Sequence, residues 1–385
     1  MSQPPFRLSQ LFERTDRRSF LTRASAMGVG AALAACGRGE RAEERAEHAG
    51  TAPATTGASA AAQDTTGHHR VVPGSPQNPD SKLDTALHHP HHPTSATPSV
   101  GGAAGVAYHR FDPALPPLTP GRTKQIHFIA REAPVAIRPD VTIAGWTFDG
   151  DIPGPIVHVR QGDTVEFTLT NQGTVPHSMD FHAAQIDPRT AFKSVPTGQS
   201  VSYRFKPRYP GAFMYHCGTA PVLMHIGSGM FGAIIVDPPS PLPPAKEFVL
   251  IQNEYYLNAP VNGIAASSYP KMLSTLPDYV AFNGRPSQYQ DAPIRVKRGD
   301  RVRFYVLAVG PTASCAFHVV GEQFDTVYLG APPANAIHGV QTFQVPAGGG
   351  MIFELLADVP GEFPFVNHAF GHGQKGAIGV LLVEE

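Results

Sequence analysis

Val159-Arg160-Gln161-Gly162-Asp163 and Val296-Lys297-Arg298-Gly299-Asp300 are near copies of one another. The stretches that hold them, Ile156 to Leu169 and Pro293 to Val306, alternate apolar and polar residues about the Gly-Asp pair. Period-two alternation around a Gly-containing turn predicts paired β-strands. Working outward, Phe148-Asp149-Gly150 returns as Phe282-Asn283-Gly284, Val195-Pro196-Thr197-Gly198 as Val345-Pro346-Ala347-Gly348, and Pro210-Gly211 as Pro360-Gly361. Both halves finish alike, with Gly232-Ala233-Ile234-Ile235-Val236 and Gly376-Ala377-Ile378-Gly379-Val380. The echoes keep their order at a separation of about 140 residues, which implies duplication of one sandwich-sized unit. Long helical periods are absent. The expected fold class is all-β: two tandem Greek-key sandwiches over residues 121–240 and 241–385.

Composition narrows the function classes. The chain has 385 residues and a formal net charge of −1, with no basic stripe, which excludes nucleic acid as the partner. Charged residues make up 16%, below the ~25% of an ordinary soluble chain, while 38 Gly and 39 Pro demand many turns. Cys36, Cys217 and Cys315 are too few for a disulfide framework, and Cys315 reads as a buried thiol. No apolar run reaches the ~20 residues of a spanning helix. A coiled coil and a polytopic membrane protein are excluded with it.

Residues 1–36 read as an address. Arg17-Arg18-Ser19-Phe20-Leu21 precedes a short apolar stretch from Ala24 to Leu33, as in twin-arginine export signals, and Leu33-Ala34-Ala35-Cys36 resembles a lipobox with Cys36 acylated. Residues 37–120 read as a low-complexity tether, rich in Ala, Pro and His, with no sustained period. His68-His69 and His88-His89-Pro90-His91-His92 lie in it and are read as solvated linker histidines in preference to a metal site. The expected location is periplasmic or at the cell surface, held to a membrane by lipid alone.

Histidines then gather in the first repeat. His177-Ser178-Met179-Asp180-Phe181-His182 is followed by His216-Cys217, His225 and Met230. One thiolate, two imidazoles and a thioether form the ligand set of a blue-copper site, here His177, Cys217, His225 and Met230. Side chains an odd number of residues apart on a strand face opposite ways. His177 therefore opposes Asp180 and His182, and His216 opposes Cys217. Each segment offers one ligand to the blue site and one histidine elsewhere. A second metal site follows, built from His182 and His216 and joined to Cys217 through one peptide link.

The pattern His177-x2-Asp180-x-His182, then His216-Cys217, His225 and Met230, resembles the copper-containing nitrite reductases, and the resemblance spans about 121 to 385, including Phe317-His318-Val319-Val320-Gly321 and Val366-Asn367-His368. It implies two cupredoxin-like domains per subunit of a homotrimer, with one type 1 and one type 2 copper per subunit. The type 1 ligands would be His177, Cys217, His225 and Met230. The type 2 ligands would be His182, His216 and His368, the last from a neighbouring subunit. Asp180 and His318 match the acid–base pair, and Val320 matches an apolar residue shaping the nitrite pocket. The implied reaction is one-electron reduction of nitrite to nitric oxide, fed by a small c-type cytochrome or cupredoxin. The lipid-anchored, tethered form resembles the outer-surface members of the family.

Two rivals share the blue site. A two-domain laccase-type multicopper oxidase needs His-x-His pairs and a His-Cys-His, yet Gly218 follows His216-Cys217 and no His-x-His occurs in 121–385. A pure electron carrier leaves Asp180, His182, His216 and His368 without a task. His338 and His372 read as surface or supporting residues.

Overall fold

The repeated Gly-Asp pairs are turns. In the computed structural model, which describes residues 106–385, Gly162 and Gly299 take φ of +82° and +88°, and nothing but glycine adopts this left-handed region freely. The following carboxylates close each turn: Asp163 accepts from the Arg160 N–H and Asp300 from the Lys297 N–H, both at 2.9 Å.

Among the described residues, twenty strands, numbered in chain order, form four sheets. In the first sandwich β10-β2-β1-β4-β6 (Ile264–Ala265, Val141–Phe148, Thr123–Arg138, Thr164–Asn171, Ser200–Phe205) faces β3-β8-β7-β5 (Val157–Arg160, Phe231–Asp237, Gly211–His216, Asp180–Phe181). In the second, β11-β9-β13-β18-β15-β16 (Tyr279–Phe282, Lys246–Tyr255, Arg301–Gly310, Gly349–Leu356, Phe324–Tyr328, Ala336–Val340) faces β12-β20-β19-β14-β17 (Ala292–Lys297, Ile378–Glu384, Gly361–Asn367, Cys315–Val319, Thr342–Val345). The chain is all-β with two tandem sandwiches, as the repeat predicts. Pairing is duplicated too: β1 runs parallel to β4 as β9 does to β13, and β3 parallel to β8 as β12 does to β20. The short β10, although it follows β9 in the chain, completes the first sandwich by pairing with β2.

Alternation explains the layers. Along β4, Val165, Phe167 and Leu169 are buried while Thr164, Glu166, Thr168 and Thr170 face outward. Phe128, Phe167, Phe181 and Tyr215 fill the first core, and Phe282, Phe304, Phe317, Phe353 and Phe365 fill the second. Each such buried ring contributes about 1.5–3 kcal/mol of transfer free energy. A third core lies between the sandwiches, where Ile143, Ala212 and Met214 meet Ile251, Leu307 and Ile352. A Cβ on Gly350 would stand 2.4 Å from the Ala212 carbonyl oxygen, so glycine there lets β18 approach β7. This apolar seam fixes one sandwich against the other.

The sequence reading places residues 106–120 in the tether, but the structure pins them to the body. Ala114 bridges to Phe248, Leu115 N–H donates to the Glu247 carbonyl and Val249 N–H to that of Pro113. Three buried side chains hold this strap by its carbonyls: Arg285 at His109, His158 at Pro116, and Lys124 at Thr119. Backbone carbonyls bound to buried donors are unavailable for water, so this segment cannot behave as free linker. The twin arginines, Cys36 and the histidine runs lie outside the described residues.

Candidate metal centres

His177 sits before β5, where its backbone exchanges hydrogen bonds with Val195 at 3.2 and 2.7 Å. Cys217 follows β7 directly, His225 lies on the short helix Val222–Gly227, and Met230 ends the loop back to β8. Two backbone bonds of 3.1 Å tie that loop together, from Cys217 N–H to the Met230 carbonyl and from Met230 N–H to the His225 carbonyl. The result is a buried cluster. Cys217 Sγ is 3.2 Å from His225 Nδ1 and 4.0 Å from His177 Nδ1, and the two Nδ1 atoms are 3.2 Å apart. The Met230 side chain is fully buried in the same core as Cys217.

The surroundings suit a thiolate–imidazole metal site. Ser178 N–H donates to Cys217 Sγ at 3.3 Å, a contact that favours negative charge on sulfur. Burial, with a smaller push from the charge of His177, brings His225 down to about 4. His177 is also lowered by burial, against the pull of Glu132. Both imidazoles are therefore neutral near pH 7, as metal ligands must be. Trp146, the chain's one tryptophan, lies edge-on to both rings at 5.7 and 4.7 Å and keeps water away.

The second cluster lies on the other side of the same two segments. His182 Nε2 and His216 Nε2 are 3.1 Å apart, and Asp180 Oδ2 is 3.9 Å from His216 Nε2. Asp180 and His216 are direct partners across the β5–β7 ladder. His216 Nδ1 donates to the Cys217 carbonyl at 2.9 Å, which leaves the Nε2 lone pair facing outward. Burial and the charge of His216 lower His182, against Asp180 and a backbone hydrogen bond at Gly348. Only Asp180–Phe181 of the 177–182 stretch is strand, shorter than the parity reading assumed, yet the two sets of side chains still part as parity requires.

His318 and His368 lie on the second sandwich, with ring centroids 5.5 Å apart. His318 Nδ1 donates to the Gln341 carbonyl at 2.7 Å, and His368 packs against the half-exposed ring of Phe370 at 4.7 Å. Among the described residues, the groups of three or more candidate ligands are His177-Cys217-His225 and Asp180-His182-His216, and His368 joins neither within one chain. Val320 lies two residues past His318 and is half-buried, its N–H bonded to the Pro364 carbonyl at 2.7 Å.

The duplication explains why one sandwich carries the thiolate. Counting six residues from Gly211 reaches Cys217, and six from Gly361 reaches Asn367. Asp180 pairs with His216 in the first sandwich and His318 with Val366 in the second, so Asp180 and His318 occupy equivalent ladder positions. Asn367 is fully buried and accepts from Ala316 and Ala369 N–H while donating to Gln252 Oε1 at 2.8 Å. An amide with filled valences replaces the thiol there. Sequence reasoning missed Trp146, Ser178 and Glu132 as neighbours of the first cluster. Ser178 was signalled only by its place after His177, and the other two reach the cluster through sheet pairing.

Comparison with known proteins agrees with this geometry. Multicopper oxidase family models match residues 130–241 and 264–385. The chain is 42% identical over 249 residues to the copper-containing nitrite reductase of Neisseria meningitidis, covering 62% of this chain and 64% of that protein's length. It is 30% identical over 281 residues to that of Cereibacter sphaeroides, covering 66% of this chain and 74% of the relative. The solved copper nitrite reductase of Nitrosomonas europaea superposes with a TM-score of 0.64 at 37% identity, over 68% of this chain and 94% of that one. The chain belongs to the copper-containing nitrite reductase family.

Proposed function

We propose that this protein reduces nitrite to nitric oxide by one electron, NO2− + e− + 2 H+ giving NO + H2O, with a type 1 site at His177, Cys217, His225 and Met230. The observation that carries the reading is the adjacency of His216 and Cys217, whose side chains enter different clusters. When bound, copper at the thiolate cluster would supply one-electron exchange, and copper at the imidazole cluster would supply a Lewis acid for nitrite. Cys217 and His216 provide the covalent path between them. Asp180 stands beside the imidazoles and holds a proton at its carboxyl for the departing oxygen. His318 supplies the second proton, and Val320 bounds the pocket.

A type 2 site needs a third imidazole, and among the described residues of one chain the cluster has two. His368 of a neighbouring copy completes it, which makes the assembly a homotrimer closed head to tail. The electron donor, a small c-type cytochrome or cupredoxin, docks where the His225 helix packs against the helix Tyr269–Leu273, with Val222, Tyr269 and Leu273 exposed. Arg17-Arg18 and Cys36 direct export and lipid anchoring in this reading. The deciding experiment measures nitric oxide release from nitrite with reduced donor, alongside copper per chain. Two coppers and nitrite-dependent release support the reading. An intact visible band without release assigns the chain to electron transfer alone.

A further inference from the structure

His177 Nε2 is buried and, among the described residues, has no hydrogen-bond partner. A stranded donor of that kind is costly, so its neighbourhood is informative. Glu132 Oε1 lies 3.7 Å away, about 0.7 Å beyond an ordinary hydrogen bond. Glu132 is on β1, opposite Trp146 of β2, the residue that also flanks His177.

The carboxylate is held in place from the other side. Thr174 N–H donates to both Glu132 oxygens at 3.0 and 2.9 Å, and Thr174 Oγ1 donates to Oε1 at 3.1 Å. The preceding residue, Gly173, is fixed by its own N–H on Asn171 Oδ1 at 2.8 Å. A Cβ on Gly173 would lie 3.0 Å from both Glu132 Oε2 and His177 Nε2. The turn thus presents an anion to the imidazole and leaves the space between them open.

We propose that Glu132 is a positioning residue for the copper–thiolate site, accepting the His177 Nε2–H so that Nδ1 faces Cys217 as a strengthened donor. The inference rests on reading the His177–Cys217–His225 cluster as a copper site. A carboxylate behind a ligating imidazole fixes its tautomer and raises its basicity. A more basic ligand favours Cu(II) over Cu(I), so Glu132 holds the reduction potential down.

The test is spectroelectrochemical titration of the visible thiolate band in the copper-loaded full chain. Glu132→Gln keeps the side-chain size and removes the charge, and its potential is expected to rise. A tenfold loss of preference for Cu(II) is the expected scale, equal to about 59 mV for one electron. Gly173→Ala drives a methyl between the pair and is expected to shift the potential the same way with the carboxylate present. Glu166→Gln, on an exposed face of β4, serves as the control and stays at the wild-type value. A Glu132→Gln potential equal to wild type overturns the proposal while the visible band keeps the copper reading. Wild-type protein that shows no band on copper loading overturns both.

Discussion

His216 and Cys217 are consecutive, yet His216 Nε2 lies 3.1 Å from His182 and Cys217 Sγ lies 3.2 Å from His225. The end of β7 creates this divergence. His216 is the last residue in register with β5, and Cys217 turns inward where its N–H binds the Met230 carbonyl. Two clusters of different chemistry are thereby joined by a few covalent bonds.

Removing the thiol separates colour from fold. Cys217→Ala is expected to lose the intense visible absorption and donor-driven turnover, with copper per chain falling by one. Absorption spectroscopy with metal analysis checks this. A retained band excludes Cys217 as a ligand.

Asp180 tests proton supply without disturbing a ligand. In Asp180→Asn, turnover is expected to fall about 10²–10⁴-fold, the usual worth of a positioned acid, with copper content unchanged. Steady-state nitrite reduction and a copper count check it together. Unchanged turnover removes the acid role.

The completeness of the imidazole site is tested by mixing. His182→Ala and His368→Ala are each expected to be inactive, but mixed trimers of the two regain about a third of wild-type activity, because one of the three interfaces in each joins two intact halves. Activity of mixed oligomers isolated with two affinity tags provides the measurement. No recovery in such oligomers means that both histidines serve a site within one chain.

His158 makes the strap pH-sensitive. Burial alone would lower this imidazole, but the hydrogen bond and charge of Asp237, the Pro116 carbonyl and Glu247 together raise it. A raised folded value means that the contribution is fully present below the unfolded value of about 6.5 and is lost as pH rises through the folded one. The melting temperature of wild type is expected to exceed that of His158→Gln most at about pH 5.5, with a narrower gap at about pH 8.5. The acid-side difference should reach about 1.5 kcal/mol, the scale of a hydrogen bond to a charged group. A gap that does not change with pH argues that His158 stays neutral.

Local sequence determined the strands and their duplication, because alternation, Gly-Asp turns and Pro-Gly starts are properties of neighbouring residues. Parity along two short segments also separated His177 from His182 and His216 from Cys217, since opposite faces of one strand are a matter of backbone geometry. The identity of the donors named copper, because thiolate, imidazole and thioether chemistry needs no coordinates. Tertiary structure alone brought His177 and His225, 48 residues apart, to a 3.2 Å approach. It also set Glu132 and Trp146 behind His177 through the β1–β2 register, and locked residues 106–120 onto buried side-chain donors instead of leaving them as tether. Those facts depend on which strands pair and on which residues each sheet face carries inward. Pairing is chosen by the burial of whole faces, a long-range quantity that no single stretch of the chain contains.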